Sequence, residues 1–448
     1  MIDKTREVAL KTLYKIDKEE TYSNLALDEM IKQNKNNLDS RDIGLISEIV
    51  YGTVSWKLTI DEIIKKYSSI KMKKISPWIL NILRMGIYQI IFLDKIPKAA
   101  AVNESVNLAK RYGHKGSSNF VNAVLRKVDK EDMKEFNKIE NNIERISKTT
   151  STPEWIVEEL LKEKNEKETE EICKSFNIKP KTSIRINRLK TTKNELKEKL
   201  KEKKINCQDG RLNDFITIDG LKDIENLDLF KDGYFTVQDE SAGMASIVLN
   251  PLENEIVLDA CSAPGGKTTH LAEIMNNKGK IIAWDIYNHR LNLIKQNYKR
   301  LGINIIETYL NDATIYKEEY FEKFDKILLD VLCLGIGVIR RKPDIKWQRQ
   351  KENINQITKI QMQILETCSK YLKKGGELVY STCSIFKEEN QNIIEKFLNE
   401  NKEFEISEYK DNKDQDELNN YLVDEKYIKI YPNETNDGFF ICKLHRKN

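Results

Sequence analysis

Two cysteines stand where strand-like runs end. Cys333 follows "FDKILLD" in the stretch "DVLCLGIGVIRRKPDIKW", and Cys383 follows "GELVYST". A free cysteine is most often a small buried hydrophobe, and Cys173, Cys207, Cys368 and Cys442 read that way. Two thiols at neighbouring strand ends, facing one crevice, suit a reaction instead. Carbon 5 of a pyrimidine is a poor nucleophile. A thiolate that adds to carbon 6 makes an enamine-like adduct, and carbon 5 can then attack a methyl sulfonium. Covalent catalysis of this kind divides one hard step into easier ones. Cys383 reads as the nucleophile, activated by a nearby lysine or helix end. The adduct must then lose its carbon 5 proton and expel the thiol, and Cys333 is placed to help.

A methyl donor needs its own site. "IVLDACSAPGGKTTHLAEI" reads as strand, turn and helix, with Gly265 and Gly266 allowing close backbone approach. It is not a triphosphate loop, because Cys261 stands where that motif needs glycine, and no GxGxxG fingerprint exists. Asp285, Asp312 and Asp330 each follow a strand-like run. Carboxylates there can hold a ribose, an amino-bearing base and a positive charge, which S-adenosylmethionine combines. The plainer reading is that each aspartate caps the next helix.

The elements that must position these residues are legible in outline. At 448 residues the chain predicts two or three domains, and 40% hydrophobic with 33% charged residues fits a soluble protein. Residues 1–128 carry apolar residues at three- and four-residue steps, as in "REVALKTLYKI" and "GLISEIVYGTVSWKLTIDEIIKKY", and predict a helical bundle. Residues 129–150 are polar and read as a linker or connecting helix. In "STPEW", Thr152 is expected to cap a helix with Pro153 in its first turn. Residues 151–236 read as a small α+β module. Residues 237–448 hold "EIVLDA", "KIIAWD", "INIIETYL", "FDKILLD" and "GELVYST", separated by helical segments. Continuous apolar strands of this kind predict a parallel sheet covered on both faces.

Several classes are excluded. The apolar stretch 75–96 is broken by Asn81, Arg84 and Gln89, so it predicts a buried helix and no membrane span. The start lacks a signal peptide. Seven scattered cysteines with no CxxC pair argue against a zinc site and a disulfide framework, and for a reducing cytoplasm. The net charge of +4 leaves any nucleic-acid footprint to local patches.

Together, "DACSAPGGKT", Cys333 with "GVIRRKPDIKW", "YSTCS" followed by "EEN", "QDESAG" and the late "DGFF" resemble the RNA cytosine-5 methyltransferases of the RsmB/Sun family. "PKAAAVNESVNLAK" and "VNAVLRK" resemble the NusB-like front domain of its bacterial ribosomal RNA members. The resemblance spans nearly the whole chain. It implies a NusB-like bundle, an α+β module and a Rossmann-like class I methyltransferase domain. It implies Cys383 as nucleophile and Cys333 as the residue aiding release. It places S-adenosylmethionine on Cys261, Ser262, Ala263, Pro264, Gly265, Gly266 and Lys267, with Asp285, Asp312 and Asp330. Asp330 and Lys267 also lie towards the cytosine. Small-subunit (16S) ribosomal RNA is the implied partner, with a monomer as the default state.

One departure stands out. The family pattern after the fourth strand is Asp-x-Pro-Cys-Ser, whereas this chain has Leu332 and Leu334 about Cys333. Leucine for proline frees the turn, and leucine for serine is expected to add volume in the pocket for a flipped base. Cofactor binding is expected to survive and turnover to slow. The alternatives are an RNA-binding protein with disabled chemistry and a transfer RNA methyltransferase. Phosphate contact is expected from Arg340, Arg341, Lys342 and Lys346 beside Trp347. Arg185, Arg188, Arg111, His114 and Lys115 are further basic candidates.

Overall fold

A computed structural model describes residues 3–218, 224–409, 414–423 and 426–448. The chain forms two compact units: Met1–Lys179 with Ile339–Lys351, and Pro180–Val338 with Glu352–Asn448.

The first unit is helical. Its helices include Lys4–Glu19, Ser23–Asn34, Ser40–Ser55, Lys57–Tyr67, Pro77–Phe92, Lys98–Tyr112 and Lys115–Lys127. The long amphipathic run 44–67 breaks at Trp56, whose φ of −99° and ψ of 14° leave the helical region. The apolar stretch 75–96 becomes the central helix, with Ile82, Leu83, Met85 and Ile87 fully buried. Its Arg84 is satisfied inside the fold by Asp61 at 2.7 and 2.8 Å and Asp17 at 2.7 Å. Among the described residues no helix is long and apolar enough to cross a membrane. Thr152 does not cap the helix Glu154–Leu161, whose N-cap is Pro153. Its hydroxyl faces Thr150 instead, 3.0 Å from that hydroxyl.

The second unit opens with a small antiparallel sheet of β1 (Thr182–Ile186), β2 (Cys207–Asp209), β3 (Phe215–Ile218) and β4 (Phe235–Val237), in the order β2-β3-β1-β4. The helix Lys193–Glu202 beside it starts with a Thr192–Glu195 capping box.

The main sheet follows: β5 (Ile256–Asp259), β6 (Lys280–Asp285), β7 (Ile306–Leu310), β8 (Phe324–Asp330), β9 (Leu372–Thr382), β10 (Phe404–Ile406), β11 (Leu422–Val423), β12 (Tyr427–Ile430) and β13 (Phe439–Arg446). The five strands expected from the apolar runs are parallel and ordered β7-β6-β5-β8-β9. Successive residues serve opposite faces: Val257, Ile281, Ala283 and Leu328 enter one core, while Leu258, Ile282, Trp284, Ile327 and Leu329 enter the other. Period-two alternation with both faces apolar makes the runs continuous. The sheet is not parallel throughout. β13 joins β9 antiparallel, and β12, β11 and β10 extend that half. The chain turns to the far side of β5 after β7, so β5 and β8 flank the switch point where ligands bind in such sheets.

Candidate active site

Pairing of β8 with β9 carries their ends to one place, and Val331 N–H donates to Ser381 O across them at 3.1 Å. The Sγ atoms of Cys333 and Cys383 lie 3.1 Å apart, both half-buried. The bond to Cys383, then burial, hold the Cys333 thiol far above the usual range, so Cys333 keeps its proton. Lys267 supplies the positive charge. Burial disfavours its cation, but Asp330, by attraction and a 2.7 Å hydrogen bond, and then Cys383, keep its pKa above the ordinary value. Asp330 is held from its other side by Ser381 at 3.0 Å. Cys333, Cys383, Lys267 and Asp330 thus form one cluster.

The backbone around the thiols is closely packed. Gly337 N–H donates to Cys383 O at 2.9 Å, and Gly438 N–H to Gly337 O at 2.8 Å. A Cβ on Gly337 would stand 2.3 Å from Gly438 O, so this approach admits only glycine. The "DGFF" stretch earns its glycine here.

The donor loop lies one strand away. Gly265 has φ of +100° and opens the helix Gly266–Ile274. Ser262 ties the loop to Trp284 O by its amide and hydroxyl, at 2.9 and 2.7 Å. Ala263 O and Pro264 O accept from Arg290 and Asn297, each at 3.1 Å. A Cβ added to Gly266, at a helix N-terminus, would meet only Gln238, at an ordinary contact distance of 3.8 Å, so the half-buried backbone here is not tightly covered. Asp285 is buried at the end of β6, with Arg290 at 3.3 Å. Asp312 is exposed and bonds Thr314 at 2.7 and 2.9 Å within a turn; it caps no helix, since the next one, Glu318–Tyr320, has Lys317 at its N-cap. The half-buried backbone at the start of the helix Gly266–Ile274 and the buried Asp285 carboxylate at the end of β6 fit a nucleoside-bearing methyl donor such as S-adenosylmethionine. The Cys261 thiol is raised well out of reactive range by burial.

Sequence reasoning overlooked Asp259, Gln361 and Glu389. Asp259 is buried at the end of β5, accepts from Thr268 at 2.7 Å and is pushed up by burial to about 7. Its sequence signals are its place at a strand end and at the head of "DACSAPGGKT". Glu389 and Gln361 bond the residues flanking both cysteines.

Three expectations need correction. Leu334 is completely buried, so it does not project into the open space of a base pocket; Leu332 is 44% exposed. The basic segment lies in the helical unit, and most of it is not exposed. Lys346 is buried, donating to Ser55 O at 3.2 Å and Asn177 Oδ1 at 2.8 Å, and burial drives its pKa down to about 7. Trp347 is half-buried with Nε1 on Val54 O at 2.8 Å, and Arg340 is buried. Arg341 is half-buried and Lys342 exposed. Arg185 is also internal: it forks onto Glu273 at 2.8 and 2.9 Å, both side chains fully buried, and donates to Gly266 O at 2.7 Å. Arg188 pairs with Asp214, Arg111 pairs with Glu7, and His114 caps its own helix.

Comparison with known proteins decides the family. Residues 246–445 match the model for the 16S rRNA methyltransferase RsmB/F, residues 3–130 the NusB family and residues 152–225 the ferredoxin-like domain of RsmF/B-like methyltransferases. Over 99% of its length the chain is 38% identical to the probable ribosomal RNA small subunit methyltransferase B of Bacillus subtilis (strain 168), covering 98% of that protein. The chain belongs to the 16S rRNA methyltransferase RsmB/F family. Its likeness to the corresponding Synechocystis protein is 33% over 98% of this chain and 99% of that one. The crystal structure of PH0851 superposes with a TM-score of 0.81 at 28% identity, covering all of both chains. As an RsmB/F protein the chain is an S-adenosylmethionine-dependent RNA methyltransferase, with a NusB bundle, a ferredoxin-like module and a Rossmann-like catalytic domain.

Proposed function

We propose that the chain methylates carbon 5 of a cytosine in small-subunit (16S) ribosomal RNA through a covalent adduct on Cys383. The observation that carries this is the 3.1 Å thiol pair beside Lys267 and Asp330. The names of the Bacillus and Synechocystis relatives support the substrate. Cys383 Sγ adds to carbon 6, with Lys267 favouring its thiolate. Asp330 and Lys267 face the base. Bound S-adenosylmethionine, held by the loop 261–267 with Asp285 and Asp312, would supply the methyl group that carbon 5 takes. After methylation the carbon 5 proton passes to water, the carbon 5–carbon 6 double bond re-forms and the carbon 6–sulfur bond breaks, its electron pair returning to Cys383 as thiolate. Cys333, a neutral thiol, aids this release by hydrogen-bonding the departing sulfur.

The division of labour we propose is 1–128 for RNA gripping, 129–150 as connection, 151–236 as the small module and 237–448 for catalysis. Lys342 and Arg341 are the residues of the basic segment that can reach phosphate. With ribosomal RNA as substrate, the enzyme works in the cytoplasm as a monomer.

The test is methyl transfer from labelled S-adenosylmethionine to unmodified 16S ribosomal RNA, with transfer RNA as the competing substrate class. Label should appear in 5-methylcytidine of the ribosomal RNA. Cys383→Ala should abolish transfer and leave no adduct. Cys333→Ala should accumulate protein–RNA adduct that survives denaturing electrophoresis. Transfer by Cys383→Ala, or label confined to transfer RNA, would sink the reading.

A further inference from the structure

The two reactive turns are fastened to each other by groups that take no part in the bond-making. Glu389, in the "EEN" stretch after β9, is fully buried. One carboxylate oxygen accepts from Leu334 N–H at 2.9 Å and from Gln361 Nε2 at 3.2 Å. The other accepts a short bond from the Ser384 hydroxyl. The same Gln361 amide donates to Leu332 O at 2.9 Å. Leu332 and Leu334 bracket Cys333, and Ser384 follows Cys383. Asn390 completes the second turn, accepting from the Thr382 hydroxyl at 2.6 Å and donating to Ser384 O at 3.0 Å. Tyr380 Oη anchors the clamp by bonding Glu389 O at 2.7 Å.

We propose that Glu389 is a positioning residue that sets the spacing of the Cys333 and Cys383 thiols by bonding both of their turns through one buried carboxylate. The inference rests on the covalent cysteine reading of this site. A buried carboxylate is tolerated only when its lone pairs are satisfied, and here the donors that satisfy it come from both turns. The spacing it sets matters, because a reacting group displaced by about 1 Å can cost roughly 100-fold in rate. The arrangement also accounts for Leu332 and Leu334. The clamp holds the carbonyl of one and the amide of the other, which any residue but proline supplies at position 334. The side chains about Cys333 can therefore change while the thiol stays in place.

The test compares Glu389→Ala and Glu389→Gln with the unaltered chain. Glutamine keeps one oxygen for Leu334 N–H and Gln361, and offers its amide to Ser384 Oγ, so it should rescue much of the function. Three quantities are measured. Calorimetry gives S-adenosylmethionine affinity, expected to stay within about twofold in both variants. Methyl transfer to ribosomal RNA gives kcat and KM. For Glu389→Ala, kcat should fall about 100-fold with KM for RNA unchanged, and for Glu389→Gln by only about fivefold. The third readout needs no RNA: diamide oxidises the two thiols to a disulfide, itself being reduced to the hydrazine, and mass spectrometry follows the Cys333–Cys383 linked peptides. Closure should be roughly tenfold slower in Glu389→Ala, because bridging demands tightly limited thiol geometry.

Closure and kcat that both match the unaltered chain overturn the proposal. So does a fall in one without the other in an active enzyme. If the unaltered chain transfers no methyl group, the catalytic reading has failed, and closure alone decides whether Glu389 sets the spacing. Should Glu389→Ala not fold, Ser384→Ala removes the carboxylate's bond to the Cys383 turn while keeping those to Leu334 and Gln361. It should then slow closure to a lesser degree, and closure at the unaltered rate overturns the proposal.

Discussion

Arg185→Met strands Glu273 in the interior. The pair is fully buried, and Arg185 also donates to Gln238, Thr269 and Gly266 O. Removing one partner of a buried pair costs about 3–5 kcal/mol, because the other is left uncompensated. For a unit of this size about 1 kcal/mol moves Tm by 2–4 °C, so its melting transition should fall by roughly 6–20 °C. The double variant Arg185→Met/Glu273→Met replaces both charges with apolar volume and should recover most of that loss. Cofactor affinity should not recover with it. Gly266 O opens the helix of the donor loop and in both variants loses the Arg185 donor, keeping only the Thr269 hydroxyl at 3.1 Å. One lost hydrogen bond of about 1.4 kcal/mol corresponds to about tenfold weaker S-adenosylmethionine binding. Burial raises the Glu273 pKa against the attraction of Arg185. A carboxyl raised in the folded state contributes stability at low pH that is lost as pH rises through its folded value. Loss of Arg185 raises it further. The deficit of the single variant should therefore narrow as pH falls towards the ordinary glutamate value of about 4.3. Scanning calorimetry across pH and titration calorimetry with S-adenosylmethionine provide the readouts. A single variant that melts with the parent, or a double variant as unstable as the single, would refute the reasoning.

Leu334 is buried and Cys333 is held by backbone bonds, so Leu332→Pro/Leu334→Ser should change methyl transfer by no more than about threefold while lowering Tm, since emptying a buried leucine site costs about 2–5 kcal/mol. A gain of more than about tenfold in kcat would mean that leucine does obstruct the base. Lys342→Ala should weaken RNA binding and reduce its salt dependence by roughly one ion. Lys346→Met should leave RNA affinity unchanged, because that amine is internal. Filter binding across a salt series checks both, and equal losses would restore the phosphate role to Lys346. Lys346 is also depressed to about 7 by burial. A lysine so depressed loses stability for the fold as pH falls through that value, so Lys346→Met should melt higher than the parent at about pH 6.

The sequence by itself determined the local elements and the chemistry-bearing ends. β5 to β9 are apolar runs because both of their faces are buried, and burial writes itself into every residue of such a strand. Cys333, Cys383, Lys267 and Asp330 were legible because parallel strands present their carboxyl ends to one crevice. The helical front was legible from its period, although the break at Trp56 was not, since apolar spacing continues through it. Tertiary structure alone decided which charges are inside. A lysine or arginine in a polar run looks solvated until the partners that satisfy it are known, and those of Lys346 (Asn177) and Arg185 (Glu273) lie far away in the chain. The antiparallel half of the main sheet was hidden for the same reason, because β13 pairs with β9 through contacts distant in sequence. Glu389 is the strongest case. The "EEN" stretch marked it only as part of the resemblance, with no role, and the convergence of the β8 and β9 ends with the Gln361 helix makes it the acceptor that both cysteine turns share.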